Sequence, residues 1–187
     1  MRIAVMAGAM LALAACGQQG SGPALPPVKE GALAPSTQTP VPGVQQANIP
    51  DGQRQQFLDR VVQYLDMAQE QIGTGMAAAQ GFEDELAAMQ PGTDHRWQVD
   101  LTGGSAYRIV GACDDDCSNM DIELIDVSTG GVVASDMLPD DFPVVDFTPP
   151  ANGRYIVRLL MQTCSVAPCF AGARVLSGAP AGSGGGK

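Results

Sequence analysis

Five cysteines are the residues of this 187-residue chain with the most evident chemistry, and their spacing divides them into two kinds. Cys16 lies alone near the N-terminus, whereas the other four form two close pairs, Cys113 with Cys117 and Cys164 with Cys169. An even number of cysteines in an exported domain indicates disulfides, and local pairing closes the shortest loops. We therefore favour one disulfide within each pair. The same spacing also allows two other connectivities and a four-cysteine zinc site, which the oxidising compartment disfavours.

The N-terminus has the pattern of an export signal. Arg2 supplies a positive charge, a short apolar run follows, and Leu13-Ala14-Ala15-Cys16 places small residues before a cysteine. That order resembles the lipobox of bacterial lipoprotein precursors, and the run is shorter than the roughly 20 residues that span a bilayer. We therefore expect residues 1–15 to be removed and Cys16 to be lipidated. Because Gly17 and not an aspartate follows, the outer membrane of the cell envelope is the expected location.

The segment after this cysteine has the composition of a disordered tether. Residues 17–50 contain seven prolines, five glycines and no aromatic residue, and such a segment cannot bury enough apolar surface to offset its loss of conformational entropy. We therefore predict a tether over residues 16–50 that lets the domain stand away from the membrane. The tail over residues 177–187 is rich in glycine and is predicted to be disordered as well.

A run of acidic residues dominates the middle of the chain. Between Arg108 and Arg154 there are ten Asp and Glu residues and no Lys, Arg or His, which argues against nucleic-acid binding because phosphate contacts require positive charge. Five of these residues are candidate calcium ligands: Asp114, Asp116, Asp136, Asp140 and Asp141. Oxygen ligands that converge from several loops suit calcium, but Asp is also a common turn residue that binds its own backbone. We favour the turn interpretation and keep calcium as the alternative; no other cofactor is predicted.

Few residues support an enzyme. His95 is the single histidine and is expected on the surface in a turn, no Gly-x-Ser-x-Gly sequence occurs, and Trp97 as the single tryptophan does not make an aromatic sugar cleft. We therefore predict no catalytic residue. Carboxylates are plentiful, so a carboxylate-dependent hydrolase is retained as the less favoured alternative.

A helical segment is predicted over residues 51–80. Asp51 is the expected N-cap, and the apolar residues between Phe57 and Ile72 recur at helical spacing before Gly73 ends the pattern. Residues 77–80 form a weak extension. We expect the apolar side of this amphipathic helix to pack on the core of the same domain, in preference to a partner protein.

Short strands separated by Gly, Pro and Asp are predicted for residues 81–176. The candidates span residues 96–101, 107–111, 121–127, 131–135, 144–148, 154–161 and 170–176, with a weaker one at 82–89. Apolar residues alternate clearly in two of them, and seven or eight such strands indicate an antiparallel β-sandwich. Tyr155 follows the turn at Asn152-Gly153 and is the expected tyrosine corner.

Several of these sequences together resemble the bacterial pre-peptidase C-terminal (PPC) domain. The resemblance covers roughly residues 81–176 and lies in Tyr107 to Cys117, Asn119 to Leu124, Asp136, Asp140-Asp141, Pro143-Val144-Val145, Phe147-Thr148-Pro149, Gly153 to Val157 and Met161. It implies a compact, jelly-roll or PPC-like β-sandwich that is usually appended to secreted peptidases, where it assists export or localisation or binds substrate, and that sometimes carries calcium. Members often have Asp-Leu-Asp-Leu where this chain has Asp121-Ile122-Glu123-Leu124, and no peptidase domain accompanies it here.

The sequence therefore favours a non-catalytic lipoprotein of the cell envelope whose β-sandwich binds an envelope protein, a peptide or a polysaccharide. The alternative is a structural lipoprotein that spaces the outer membrane without a specific ligand. An exposed apolar patch between the acidic loops would favour binding, whereas an evenly charged surface would favour the spacing role.

Overall fold

The computed structural model describes residues 20–178. The signal predicted for residues 1–15, the lipidation site Cys16 and the tail beyond residue 178 lie outside the described residues. Within residues 20–178, no helix has both the length and the apolar character needed to cross a membrane.

The described residues form one helix and eleven strands. The helix is α1 (Asp51–Ile72). The strands are β1 (Gln45–Gln46), β2 (Ala77–Ala78), β3 (Glu85–Met89), β4 (Thr93–Leu101), β5 (Tyr107–Cys113), β6 (Cys117–Asp126), β7 (Gly131–Asp136), β8 (Val144–Phe147), β9 (Gly153–Cys164), β10 (Val166–Ala167) and β11 (Cys169–Ser177).

Two antiparallel sheets build the predicted β-sandwich, so the predicted fold class is confirmed. One sheet has the strand order β4-β9-β6-β7, which leaves β4 and β7 at its edges. The other has the order β2-β11-β5-β8, with β3 also paired to β11. The short strands β1 and β10 form a separate parallel pair.

The core between the sheets follows from the alternation of side chains along the long strands. In β9, Tyr155, Val157, Leu159 and Met161 are all buried in one apolar cluster with residues of the opposite sheet. Because successive side chains of a strand point to opposite faces, Arg158 and its even-numbered neighbours in β9 face away from this core.

Helix α1 covers the outer face of the second sheet. Val61, Leu65 and Ala68 are buried against residues of β5 and β11, among them Phe170, so the expectation that the helix packs on its own domain is confirmed. Two details differ from prediction. The N-cap position is Pro50 without a side-chain cap, which makes Asp51 the first helical residue. The predicted extension at residues 77–80 contains strand β2, because Ala77 and Ala78 pair with the end of β11.

Residues 20–46, which we call the strap, do not form the predicted tether. The strap begins at the β4 edge, where Ser21 N donates to Asp94 O at 2.9 Å and Ser21 O accepts from Arg96 N at 2.8 Å. It reaches the turn between β6 and β7, where Lys29 N donates to Thr129 O at 2.8 Å. It then returns and ends in β1.

The strap forms an additional layer over the outer face of the β4-β9-β6-β7 sheet. Ile125 of β6 and Ile156 and Leu160 of β9 are buried to 1% exposure or less, although they do not belong to the cluster between the two sheets. The tether prediction was wrong because it considered only the apolar surface that the segment itself carries. The strap gains backbone hydrogen bonds from the domain and covers apolar side chains that the domain supplies.

The tyrosine corner is formed by a different tyrosine from the one predicted. Thr102 N donates to the Tyr107 hydroxyl at 3.1 Å, which ties β5 to the preceding turn. Tyr155 instead lies against Gly153, where a Cβ would approach its ring to 3.1 Å, and its ring contacts that of Phe147 edge-on at a centroid distance of 5.3 Å. A side chain at position 153 would therefore crowd the Tyr155 ring.

Both favoured disulfides are present. Cys113 pairs with Cys117 and Cys164 pairs with Cys169. The two bridges adjoin in the fold because Cys117 and Cys164 are register partners in β6 and β9. With all four sulfurs in disulfides, no thiolate remains for the alternative zinc site.

Candidate interaction surface

The connection from β7 to β8 exposes large apolar side chains. In residues 136–142, which we call the 136–142 loop, Leu138 is 62% exposed, Met137 46% and Phe142 37%. Asp136, Asp140 and Asp141 lie among them in the sequence. This is the exposed apolar patch between acidic residues that distinguishes a binding surface from an evenly charged one.

The acidic side chains hold this loop in one conformation. Asp136 accepts hydrogen bonds from Leu138 N at 3.1 Å and from Val144 N at 2.8 Å, so one carboxylate joins both ends of the loop. Asp140 accepts from Phe142 N at 3.1 Å. A loop whose conformation is already fixed loses less entropy when it binds a partner.

The surface continues onto helix α1. The ring of Tyr64 meets that of Phe142 edge-on at a centroid distance of 6.3 Å, and the Tyr64 hydroxyl donates to Asp115 at 2.6 Å. Arg60 pairs with the same carboxylate at 2.5 Å. These hydrogen bonds, first from Tyr64 and then from Arg60, lower the pKa of Asp115. An ion pair of Asp115 and Arg60 therefore lies beside the apolar residues.

Four of the five candidate calcium ligands accept hydrogen bonds from the protein itself, two from distant residues and two from the 136–142 loop. Asp114 accepts from Phe170 N at 2.8 Å, Asp116 accepts from the Ser165 hydroxyl at 3.0 Å, and Asp136 and Asp140 bind the 136–142 loop as described. Among residues 20–178, no three His, Cys, Asp or Glu side chains come together as a metal site would require. Calcium stays the untested alternative to the turn interpretation, and thermal melts of the folded protein with calcium and with a chelator would test it. Because we favour the turn interpretation, we expect the two midpoints to coincide.

Two buried carboxylates have raised pKa values. Burial is the main cause for Asp114, whose pKa rises to about 6, and for Asp121.

One open groove of about 760 Å³ lies between the strap and β4, and another of about 710 Å³ lies beside the turn at Asn152. Asp114 and Asp121 line neither groove. The facing pair of perturbed carboxylates that a hydrolase would need in a cleft is thus not formed by these two residues.

A buried ionic network lies beneath the strap. Arg158 is 3% exposed and pairs with Asp94 and with Glu123, the latter at 2.8 Å. The strap completes the network through Ser36, whose carbonyl accepts from Arg158 at 2.7 Å and whose N–H donates to Glu123 at 2.8 Å. Arg96 adds a second cation 3.2 Å from Asp94. These partners stand up to 122 residues apart in the sequence, so sequence patterns did not indicate the network.

His95 lies in strand β4 and not in a turn. Its Nδ1 is 2.6 Å from the Ser21 hydroxyl and its Nε2 is 2.8 Å from Glu85. The side chain thus joins the start of the strap to β3, and this structural role accounts for its polar contacts.

Comparisons with known proteins place this chain in no established family. No protein-family model matches it, and no curated protein matches it. Among solved structures it is similar to PliG of Aeromonas hydrophila, a periplasmic lysozyme inhibitor of g-type lysozyme, with a TM-score of 0.37 and 10% sequence identity. That alignment covers 54% of this chain and 90% of the other. A similarity of this size supports no inference about function.

Met137, Leu138 and Phe142 were not among the residues predicted to be functional. Their signal was nevertheless present, because three large apolar residues lie in a stretch that also contains three aspartates and Pro139. Asp and Pro favour a turn, and a turn leaves such side chains little chance of burial. Apolar residues inside a predicted turn therefore merit the same scrutiny as polar residues inside a predicted core.

Proposed function

We propose that this chain is a non-catalytic lipoprotein of the bacterial outer membrane whose β-sandwich binds a protein through the 136–142 loop. The observation that carries the proposal is the exposure of Leu138, Met137 and Phe142 in a loop fixed by Asp136 and Asp140. Apolar anchors at the centre of a contact supply most of the affinity in protein interfaces.

The charge around the loop indicates the chemistry of the partner. The chain has a formal net charge of -10, and Asp140 and Asp141 adjoin the apolar residues. A protein with an apolar pocket and a basic rim would complement this surface, and opposite charges would speed the encounter. A peptide of the same chemistry is included in this class, whereas a polysaccharide offers no positive rim.

The cellular location rests on the sequence. The lipobox-like residues before Cys16 imply lipidation, and the disulfides of the folded domain suit an oxidising compartment such as the periplasm. The resemblance to the PPC domain also stays a prediction and agrees with an accessory module on an exported protein. The competing role is a spacer without a ligand.

A photo-crosslinking amino acid at Leu138 tests the proposal in cells that produce the full chain. We expect it to capture one protein reproducibly, while the same amino acid at the exposed helical residue Gln56 does not. Equal capture patterns at both positions, or none at either, would favour the spacer role.

The captured protein is then purified and its affinity is measured against variants. Leu138→Ser should weaken binding by about 2 kcal/mol, roughly thirtyfold. Leu33→Ser is the matched control, because Leu33 is 68% exposed and lies in the strap outside the 136–142 loop; its affinity should stay at the wild-type value. Affinity should also fall as salt rises, since the acidic rim is screened. Equal losses in both variants would contradict the proposed surface.

A further inference from the structure

The start of the strap lies very close in sequence to the predicted lipid anchor. Gly20 already contacts the sheet, because its carbonyl accepts from Arg96 at 2.7 Å, and only Gly17, Gln18 and Gln19 separate it from Cys16. Four residue steps span at most about 14 Å when fully extended. The long tether that composition suggested is therefore reduced to a very short connection.

Strand register places the start of the strap and the 136–142 loop at opposite edges of one sheet. Ser21 forms a parallel bridge with His95 at the β4 edge. His95 is paired with Leu159, Leu159 with Ile122, and Ile122 with Asp136 at the β7 edge. This row of five residues crosses about 19 Å at the usual spacing between strands. Asp136 is the first residue of the 136–142 loop.

Close packing fixes the start of the strap in this position. A Cβ added to Gly20 would meet the Asp94 side chain at 1.3 Å, and one added to Gly22 would meet Arg96 O at 1.9 Å. The glycines thus allow the strap to lie directly on β4. Together with the paired Ser21 backbone, they define one attachment point at this edge.

We propose that the strap holds the domain directly on the lipid bilayer, with the β4 edge toward the headgroups and the 136–142 loop directed away from them. This inference rests on the proposed lipidation of Cys16. It deepens the proposed function because the surface that binds the partner becomes the part of the sheet farthest from the membrane. It also keeps the carboxylates of the 136–142 loop away from anionic lipid.

Trp97 provides an intrinsic reporter, because it is the single tryptophan and lies on β4 two residues from His95. The full lipidated chain is incorporated into phosphatidylcholine vesicles that contain dansyl-labelled phosphatidylethanolamine, and energy transfer from Trp97 to dansyl is measured. We expect strong transfer. A linker of twenty Gly and Ser residues inserted between Gln19 and Gly20 adds about 25 Å of coil and should reduce transfer at least about twofold.

The same linker inserted after Gly186 is the matched control and should leave transfer unchanged. A second donor tests the orientation: the variant Trp97→Phe with Leu138→Trp should transfer less than the wild type. Equal transfer with the linker at either position, or stronger transfer from position 138, would overturn the proposed orientation.

Flotation of the vesicles separates this inference from the function on which it rests. If the wild type does not float with vesicles, or if Cys16→Ser floats equally well, lipidation fails, and the lipoprotein assignment and the docked orientation both fall; binding through the 136–142 loop is tested separately by capture at Leu138. If the wild type floats but Trp97 shows weak transfer, the lipoprotein assignment stands and only the docked orientation is wrong. Capture at Leu138 should persist in the linker variant, because the binding surface is unaltered.

Discussion

The strap and the 136–142 loop are both irregular segments, and each contradicts what its composition suggests. The strap is rich in proline and glycine, yet it binds the backbones of Asp94, Arg96 and Thr129 and covers buried side chains. The 136–142 loop contains Met, Leu and Phe, yet it exposes them. The difference shows that available hydrogen-bond partners and a complementary surface decide docking, and that the composition of a segment alone does not.

Removal of the strap should have the largest effect on stability. A chain that begins at Ala47 exposes Ile125, Ile156 and Leu160, each worth about 1.5–3 kcal/mol when buried, and it also opens the ionic network. The sum is comparable to the whole stability of a typical domain, about 5–15 kcal/mol. We expect no cooperative thermal transition by circular dichroism.

The chain from Gly20 to Gly178 is the control and should unfold cooperatively. If both chains melt at the same temperature, the strap contributes no stability, which would contradict its role as a covering layer of the sheet. A chain that begins at Asp51, as the tether prediction would suggest, lacks the strap as well and should behave like the shorter chain.

Replacement of Arg158 tests the contribution of the buried ionic network beneath the strap to stability. Arg158→Met leaves Asp94 and Glu123 buried without their shared cation, which should cost about 3–5 kcal/mol in urea denaturation. The exposed pair of Arg154 and Asp100, 3.0 Å apart, provides the control, and Arg154→Met should cost at most about 1 kcal/mol. Addition of Glu123→Gln to Arg158→Met should recover part of the loss. Similar costs for the two arginines would mean that the network is not buried as described.

Local patterns accounted for much of the fold. Helix α1, the main strands and both disulfides were predictable because periodicity, turn residues and short loop closure act over a few neighbouring residues. The strap was not predictable, since its partners, such as Asp94 and Arg158, are supplied by distant strands.

Errors within the predicted elements have the same origin. Tyr155 and Tyr107 each follow a turn, and only tertiary packing determines that Tyr107 makes the corner bond to Thr102. The candidate calcium ligands were identified as residue types, but whether they converge depends on loop conformations. The 136–142 loop was not predicted as a binding surface, because only its polar residues were interpreted as candidate ligands.

Asp114 allows a test of electrostatics in the turn closed by the Cys113–Cys117 disulfide. Burial raises its pKa from 3.8 to about 6 in the folded state, so the folded protein binds more protons than the unfolded chain between about pH 4 and pH 6. This contribution to the free energy of unfolding is therefore complete below about pH 4 and is lost as pH rises through 6. Asp114→Asn should raise the stability near pH 7.5 by up to about 3 kcal/mol.

Urea denaturation at low and neutral pH measures this difference. Near pH 4 the variant and the wild type should have nearly equal stability, and the gap should open as pH rises. Asp51→Asn at the exposed start of α1 is the control and should change stability by no more than about 1 kcal/mol. A variant less stable than the wild type at neutral pH would show that the hydrogen bond from Phe170 N to Asp114 outweighs the cost of the buried charge.

Asp136 gives the smallest effect and tests whether the 136–142 loop is held in advance for binding. Asp136→Ala removes the acceptor for the N–H groups of Leu138 and Val144. The free energy of unfolding should fall by about 1–2 kcal/mol, because the loss of a side chain that caps backbone N–H groups typically costs this much. Leu138→Ser removes only an exposed side chain and should leave stability within about 0.5 kcal/mol of the wild type. Both variants should nevertheless lose affinity for the captured protein, the first because its loop must be ordered on binding and the second because its anchor is gone. Full affinity in Asp136→Ala would mean that the exposed side chains bind without a fixed loop. The hydrogen bonds that order the 136–142 loop would then serve stability and not binding.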